Sequence, residues 1–320
     1  MRVMVLGGTG FVGRHAVCAL LARGHSVIIG TRCPGRAARR LPPQAQGCER
    51  REVHFEILTT RYVWQPLLAG ADVVLNAVGI LRERGGQTYD RVHNMAPSAL
   101  ALACERLGLR LIHVSMLGLR REARSRFLRS KFSGERAIAG SGADYSIVRP
   151  SLLDGEDGFG AGWIRRVAGL PIHPCPADAV GRFAALDVRD LGDALATLCE
   201  ISGDSLPREV ELGGTARRAL GEYLGALRAA HGDRPALQLS LPAPLARLAG
   251  ELCDLLHLSP LSCGLLELAR RDNLPRENLL QALIGRAPMP VGRDLPAPRR
   301  AYAFRVLPTG HETPVPPSPQ

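Results

Sequence analysis

Short apolar runs recur through the first half of the chain, each followed by a stretch whose apolar residues fall at helical spacing. The runs are Arg2-Val3-Met4-Val5-Leu6, Ser26-Val27-Ile28-Ile29-Gly30, Asp72-Val73-Val74-Leu75-Asn76-Ala77-Val78-Gly79, residues 110–114, and Asp144-Tyr145-Ser146-Ile147-Val148. Between them, Ala16, Val17, Leu20 and Leu21 mark one helix, and Trp64 to Leu68 lie in a second. Residues 89–107 form a long third, with Val92, Met95, Ala99, Leu102 and Ala103 on one side, and residues 131–139 form a fourth. Strands alternating with helices at this spacing predict an α/β fold built on a doubly wound parallel sheet.

The pattern changes after the fifth run. A helix through Cys199 is predicted with Asp190 as its N-cap, Glu209-Val210-Glu211-Leu212 as a last short strand, and a leucine-rich stretch over residues 237–268 as a buried or docking helical pair. Beyond about residue 293 proline is frequent and periodicity is lost. The expected organisation is therefore a dinucleotide-type core over residues 1–155, an interleaved and mostly helical C-terminal lobe over 156–292, and a flexible tail over 293–320.

Composition narrows the setting. Of 320 residues, 46% are hydrophobic, enough to fill a core, and no apolar run is long enough for a membrane helix. The first residues read as a strand rather than as a signal peptide, which points to a cytoplasmic protein. Its eight cysteines form no C-x-x-C pair and its nine histidines no metal-ligand spacing, so reduced thiols and no metal site are expected. The formal charge of +11 invites a nucleic-acid reading, but the basic residues are scattered and carry no recognition motif. Arg247 and Arg270-Arg271 beside the leucine-rich stretch fit a peripheral contact with the inner face of a membrane or a partner groove; core packing of the leucines is the more ordinary expectation.

The chemistry begins at Gly7-Gly8-Thr9-Gly10-Phe11-Val12-Gly13, which sits between the first strand and the first helix. Gly7 and Gly10 allow a tight turn and close approach to a pyrophosphate at the helix N-terminus, and Gly13 lets helix and strand pack closely. This is a Rossmann fingerprint in its proper context. Where an NAD enzyme ends its second strand on a carboxylate, this chain has Thr31-Arg32, with Arg36, Arg39 and Arg40 following. Arginine suits a ribose 2′-phosphate, so NADP(H) is expected over NAD(H). The small residues Ala77, Val78 and Gly79 let backbone pass near such a cofactor.

One basic residue stands apart. Lys131 is the only lysine among 41 Lys and Arg residues. A compact, flexible ammonium and a planar guanidinium are not interchangeable, so this exception marks a geometric demand.

With these pieces placed, the chain resembles the atypical branch of the short-chain dehydrogenase/reductase superfamily, particularly the group containing the NADPH-binding accessory subunit of respiratory complex I. The glycine loop, Asn76-Ala77-Val78-Gly79-Ile80, Val92-His93-Asn94, Ile112-His113-Val114-Ser115, residues 125–131 with Gly134-Glu135, and Val148-Arg149-Pro150-Ser151 carry the resemblance. Leu241-Pro242-Ala243-Pro244 and Leu258-Ser259-Pro260 echo it more weakly. It implies a catalytic serine at Ser115, a ribose-holding lysine at Lys131, and a turn at Pro150 beside the nicotinamide. It also implies cofactor contacts at Gly7, Thr9, Gly10, Phe11, Val12, Gly13, Arg32, Ala77, Val78 and Gly79. Where the superfamily places its tyrosine proton donor, this chain has Phe127, which has no proton to give.

Two functional readings follow from that substitution. One is a reductase of a hydrophobic carbonyl or quinone-type substrate with a non-standard proton donor. The other is a non-catalytic NADP(H)-binding sensor or assembly subunit whose partner is a respiratory-chain protein. Both require the nicotinamide dinucleotide, and neither involves nucleic acid.

Overall fold

A computed structural model describes residues 1–201, 205, 207–256 and 259–293. The proline-rich tail from 294 onward and Leu258 lie outside these residues.

The apolar runs are the strands of one parallel sheet, in the order β7-β6-β5-β4-β1-β2-β3. Its strands are β1 (Arg2–Leu6), β2 (Ser26–Thr31), β3 (Glu49–Glu52), β4 (Val73–Asn76), β5 (Arg110–Val114), β6 (Tyr145–Pro150) and β7 (Glu209–Leu212). The chain reverses its direction of travel across the sheet between β1 and β4, which are direct neighbours. A crevice opens at such a switch point, beyond the carboxyl ends of the strands.

Both faces of the sheet are covered, which is why its inner strands β1, β2, β4 and β5 are largely apolar. On one side α1 (Phe11–Ala22) packs with α6 (Val188–Glu200) over Val3, Val5, Ile29, Leu75 and Ile112. On the other, α2 (Arg61–Leu68), α3 (Ala96–Leu107) and α4 (Arg126–Ala139) cover Met4, Leu6, Ile28, Val74 and Leu111, with Trp64 fully buried. The predicted long helix over 89–107 is interrupted: Arg91–Met95 winds as a π-turn before α3 begins. The fourth helix starts at Arg126, before the predicted Lys131.

The C-terminal lobe contains α5 (Phe159–Ala168), α7 (Leu220–Ala230), α8 (Ala243–Leu256) and α9 (Cys263–Ala269). A parallel two-stranded sheet, Ile172–Pro176 with Leu237–Leu241, supports them. The leucine-rich stretch, expected as a buried or docking helical pair, is therefore strand, helix and helix; Leu266 is buried, but the leucines of α8 are not. Leu245, Leu248, Leu252 and Leu256 are 49–57% exposed.

One smaller expectation also needs correction. The N-cap of α6 is Asp187, whose carboxylate accepts from the Arg189 N–H; Asp190 lies in the first turn and is fully buried, accepting from the Met289 N–H and pairing with Arg286. Asp154, in the segment after β6, is 2% exposed and holds Arg165 and the Tyr223 hydroxyl.

α1 can start where it does because of Gly13. A Cβ there would overlap the Gly7 carbonyl oxygen, and Gly7 itself has φ +76°, a left-handed conformation that favours glycine. Backbone-on-backbone overlap has no flexible side chain to yield. Gly13→Ala is expected to cost about 1–3 kcal/mol and to lower the unfolding midpoint by several degrees; Gly47→Ala, with open space around it, should leave the midpoint unchanged. Differential scanning fluorimetry of both variants checks this.

Candidate functional site

The crevice at the switch point is a cavity of about 680 Å³ lined on its inner wall by Gly7, Thr9, Gly10, Ala77, Val78 and Gly79. Gly10 donates its N–H to the Gly7 carbonyl at 2.8 Å, closing the turn, and Thr9 and Thr31 hydroxyls meet at 3.2 Å. The first-turn N–H groups of α1 lack intrahelical acceptors, as at every helix start, and they begin at this rim. Phe11 and Val12 do not line the cavity through their side chains. Phe11 is wedged against Gly155 and Gly158, where any Cβ would lie within 2.9 Å of its ring.

At the outer end the cavity wall is basic. Arg32, Arg36, Arg39 and Arg40 all line it, and Glu56 and His54 face them from the segment after β3. Arg32 is oriented by donating to the Gln87 side-chain oxygen at 2.8 Å. Grouped at the carboxyl end of β2, these guanidinium groups form a positive pocket mouth.

At the other end, Asn76 pairs in register with His113, so Ser115 lies level with Val78 on the neighbouring strand. The Ser115 N–H donates to Val148 at 2.7 Å and the Leu117 N–H to Pro150 at 3.0 Å, which brings Ser115 and Pro150 to one edge. Ser115 Oγ is buried and has no hydrogen-bond partner among the described residues. A buried hydroxyl without a partner is costly unless a ligand supplies one.

Lys131 comes to this place from α4. A Cβ on Gly79 would lie 3.8 Å from Lys131 Nζ and 3.9 Å from His93 Nε2. Burial pulls the Lys131 ammonium down from 10.5 to about 8, against an upward pull from Glu135. The residue keeps some solvent contact, so it is crowded without being sealed. Glu135 does not quench it, because Arg149 takes that carboxylate in a bidentate pair at 2.7 and 3.1 Å. Among the described residues Nζ makes no hydrogen bond.

Three polar residues that the sequence analysis quoted without assigning them a role complete the floor. Asn76 donates to His113 Nδ1 at 3.0 Å and accepts from the Val78 N–H at 3.0 Å, fixing the cavity wall. His93, in the π-turn, accepts from the Ile80 N–H at 3.1 Å; its Nδ1–H then faces Ser130 Oγ at 3.1 Å, which donates to the Phe127 carbonyl. Burial, reinforced by the nearby Lys131 charge, holds His113 at about 3 and His93 well below the imidazole range. Both imidazoles are neutral. A π-turn in a helix is a frequent sign of a functional site, but it depends on hydrogen bonding that periodicity does not report.

Phe127 is 6% exposed and packs edge-on against Tyr89 and His93, with both ring centroids at 5.5 Å. Tyr89 stacks on His93 and donates its hydroxyl to the Leu81 carbonyl at 2.9 Å. The aromatic at the tyrosine position thus belongs to a packed cluster, and the nearby tyrosine hydroxyl is already committed. Among the described residues no group of three His, Cys, Asp or Glu side chains could hold a metal ion.

A glycine-turn cradle at a switch point, a basic outer end and an ammonium at the inner end define a dinucleotide-binding α/β protein. Residues 7–185 match the NAD(P)H-binding family, and the chain belongs to that family. Ceramide reductase of Caulobacter vibrioides is 30% identical over 260 residues, which cover 79% of this chain and 77% of that protein. Subunit 9 of the mitochondrial NADH dehydrogenase (ubiquinone) 1 alpha subcomplex of Arabidopsis thaliana is 27% identical over 213 residues, 66% of this chain. The chain spans about half of that subunit, 53%. The NADPH-dependent quinone oxidoreductase QOR2 of Escherichia coli, solved with NADPH, superposes with a TM-score of 0.66 at 19% identity over 91% of this chain and 97% of that one. A UDP-glucuronic acid 4-epimerase of Bacillus cereus, solved with NAD, gives 0.63 at 16% identity over 90% and 94%. These two likenesses concern the fold, and they bind different dinucleotides. The resemblance to the atypical dehydrogenase/reductase branch and to the complex I subunit thus stands.

The neutral histidines have a consequence for stability. Unfolding frees His113 to take up a proton near pH 6.5, whereas the folded chain resists protonation until about pH 3. Its contribution is complete above pH 6.5 and is lost as pH falls through that window. The unfolding midpoint should drop between pH 7 and pH 5, and His113→Asn should show a shallower drop, measured as slope rather than absolute midpoint.

Proposed function

We propose that the protein binds NADP(H) in the glycine cradle and reduces a hydrophobic carbonyl or quinone-type substrate at the Ser115 edge. The observation that carries this reading is a buried Ser115 hydroxyl without a hydrogen-bond partner among the described residues, on the strand edge level with Val78 of the cavity wall. Lys131 Nζ, near Gly79 of the same wall, also makes no hydrogen bond among the described residues. A ribose hydroxyl and a substrate oxygen supply what they lack.

The residues present fit the dinucleotide along its length. Gly7, Thr9 and Gly10, with the first N–H groups of Phe11, Val12 and Gly13, would hold the pyrophosphate; Ala77, Val78 and Gly79 would face the middle of the cofactor. Arg32, with Arg36, Arg39 and Arg40, favours a 2′-phosphorylated ribose. Pro150 would close the nicotinamide end. NADPH, when bound, supplies hydride chemistry. Ser115 would orient the substrate oxygen, and Lys131 would donate to the nicotinamide ribose. With Phe127 inside an aromatic cluster, the proton comes from water reaching the Ser115 edge.

Support for the substrate class comes from relatives named for reduction of a ceramide and, at the level of fold, of quinones. Phe127 also favours a second reading, in which the dinucleotide is held without turnover and the protein serves as an NADP(H) sensor or assembly subunit with a respiratory-chain partner, as the subunit 9 relatives imply. Both readings fit a protein of the cytoplasmic side, working at the inner face of a membrane. No helix among the described residues is long and apolar enough to cross one.

Fluorescence titration with NADPH and NADH separates these claims from the fold. The expected result is tighter binding of NADPH by about tenfold or more, with Arg32→Glu and Arg36→Glu together erasing the preference. Equal affinities for the two cofactors in the unaltered protein would remove the NADP assignment.

Lys131 makes a second prediction. Its donor is charged below about pH 8 and is lost as pH rises through that value, so NADPH affinity should weaken above pH 8. Lys131→Met should bind about tenfold more weakly, without that pH dependence, and Lys131→Arg nearly as weakly. Substrate-dependent NADPH oxidation with hydrophobic carbonyls and quinones then decides between reductase and sensor.

A further inference from the structure

The leucines of α8 lie at positions 245, 248, 252 and 256, a spacing that puts them in one stripe on the helix. All four are 49–57% exposed, while Ala246 and Gly250 on the opposite side are buried. Gly250 meets α9 so closely that a Cβ would lie 2.8 Å from Leu266. The helix therefore has one settled face and one apolar face open to solvent. Isolated surface leucines need no explanation, but a continuous stripe of them does.

The surroundings of that stripe are basic. Beside it lies a cavity of about 700 Å³ whose lining includes Arg120, Arg124, Arg247, Arg270 and Arg271. Glu122, Glu251 and Glu267 line it too; Glu267 is occupied by the backbone N–H groups of Arg124 and Ser125 at 2.8 and 2.9 Å, and the lining keeps two more arginines than glutamates. Of the five arginines, Arg270 is paired, with Asp178 at 2.6 Å. The chain as a whole carries +11. An apolar stripe beside exposed guanidinium groups complements a surface that is apolar below and anionic above, which is the interfacial zone of an anionic bilayer. A second copy of this chain would bring like charge to like charge.

The helix is also tied to the candidate site. Arg82, three residues beyond Gly79, is buried; it pairs with Asp254 of α8 and donates to the Ser259 carbonyl at 2.8 Å. Asp254 accepts in turn from the Cys263 N–H at 3.0 Å, at the start of α9. What seats α8 thus also holds the loop that ends the dinucleotide cavity.

We propose that α8 docks the protein on an anionic phospholipid surface, its leucines entering the interface and the neighbouring arginines meeting lipid phosphates. This deepens the reading of a hydrophobic substrate, but the docking itself does not rest on it.

The test is flotation of the full chain with phosphatidylcholine vesicles and with vesicles that also contain phosphatidylglycerol, alongside gel filtration and NADPH titration. Flotation with the phosphatidylglycerol vesicles only is expected. Leu248→Gln with Leu252→Gln should reduce the bound fraction by about tenfold, leaving circular dichroism and NADPH affinity unchanged. Leu107→Gln, on an exposed leucine of α3, should have no effect. Arg247→Ala with Arg271→Ala should weaken binding and its salt dependence. The proposal is overturned by absence of flotation, or by flotation that the leucine changes leave intact, which would indicate adsorption by net charge alone. A dimer on gel filtration that the leucine changes dissolve would also overturn it, because a second copy would then own the face. Unchanged NADPH affinity with lost flotation keeps docking and cofactor binding distinguishable.

Discussion

The close approach of α1 to the turn after β1 is the constraint on which the site depends. Gly13 packs against the Gly7 carbonyl with no room for a methyl group, and this fixes where the helix begins relative to the sheet. Because β1 and β4 are neighbours at the reversal of strand order, that helix start faces the loop after β4 across the crevice. Phe11 then fills the space under Gly155 and Gly158, which extends the same constraint into the segment after β6. A shift of the helix by one methyl would move the cradle, the opposite wall and the Phe11 wedge together.

Electrostatics at the inner end shows why one position keeps lysine in an arginine-rich chain. Glu135 lies four residues after Lys131 on α4 and could have neutralised it, but Arg149 on β6 takes both its oxygens and is held from the other side by Glu209 of β7. The ammonium is left facing two neutral imidazoles and a glycine. A guanidinium at position 131 would need more space and several acceptors in a plane. The low proton affinities of His93 and His113 are the counterpart of the same charge, since each would be repelled on protonation.

The parts of this arrangement that follow local rules were legible in the sequence. Continuous apolar runs gave five of the seven strands and the glycine loop gave the turn, because burial on both faces and close backbone approach each demand particular residue types. Glu49-Arg50-Arg51-Glu52 was not legible as β3, since an edge strand can be polar on both sides. The π-turn at His93 was invisible to a helical period that runs through it, and the cap at Asp187 lay three residues before the one expected, where Asp190 proved to be a buried partner for Met289 and Arg286. Of the expected site residues, Gly7, Thr9, Gly10, Arg32, Ala77, Val78 and Gly79 come together around one cavity. Ser115, Lys131 and Pro150 are not among the residues that line it; backbone hydrogen bonds put Ser115 and Pro150 on one strand edge, and Lys131 Nζ lies near Gly79, placements that no spacing in the sequence encodes.

Phe127 bears on both halves of the molecule. Its ring joins Tyr89 and His93 in a cluster that includes Leu268 of α9 among its partly buried neighbours, so the position that ordinarily carries a proton donor here helps hold the C-terminal helices to the core. Arg82 ties α8 to the loop beyond Gly79 from the other side. The inner end of the cavity is thereby joined to α9 through the Phe127 cluster and to α8 through Arg82. Phe127→Tyr would then place a hydroxyl where packing, not solvent, surrounds it, and burying that group without an acceptor would destabilise the attachment by roughly 1–3 kcal/mol.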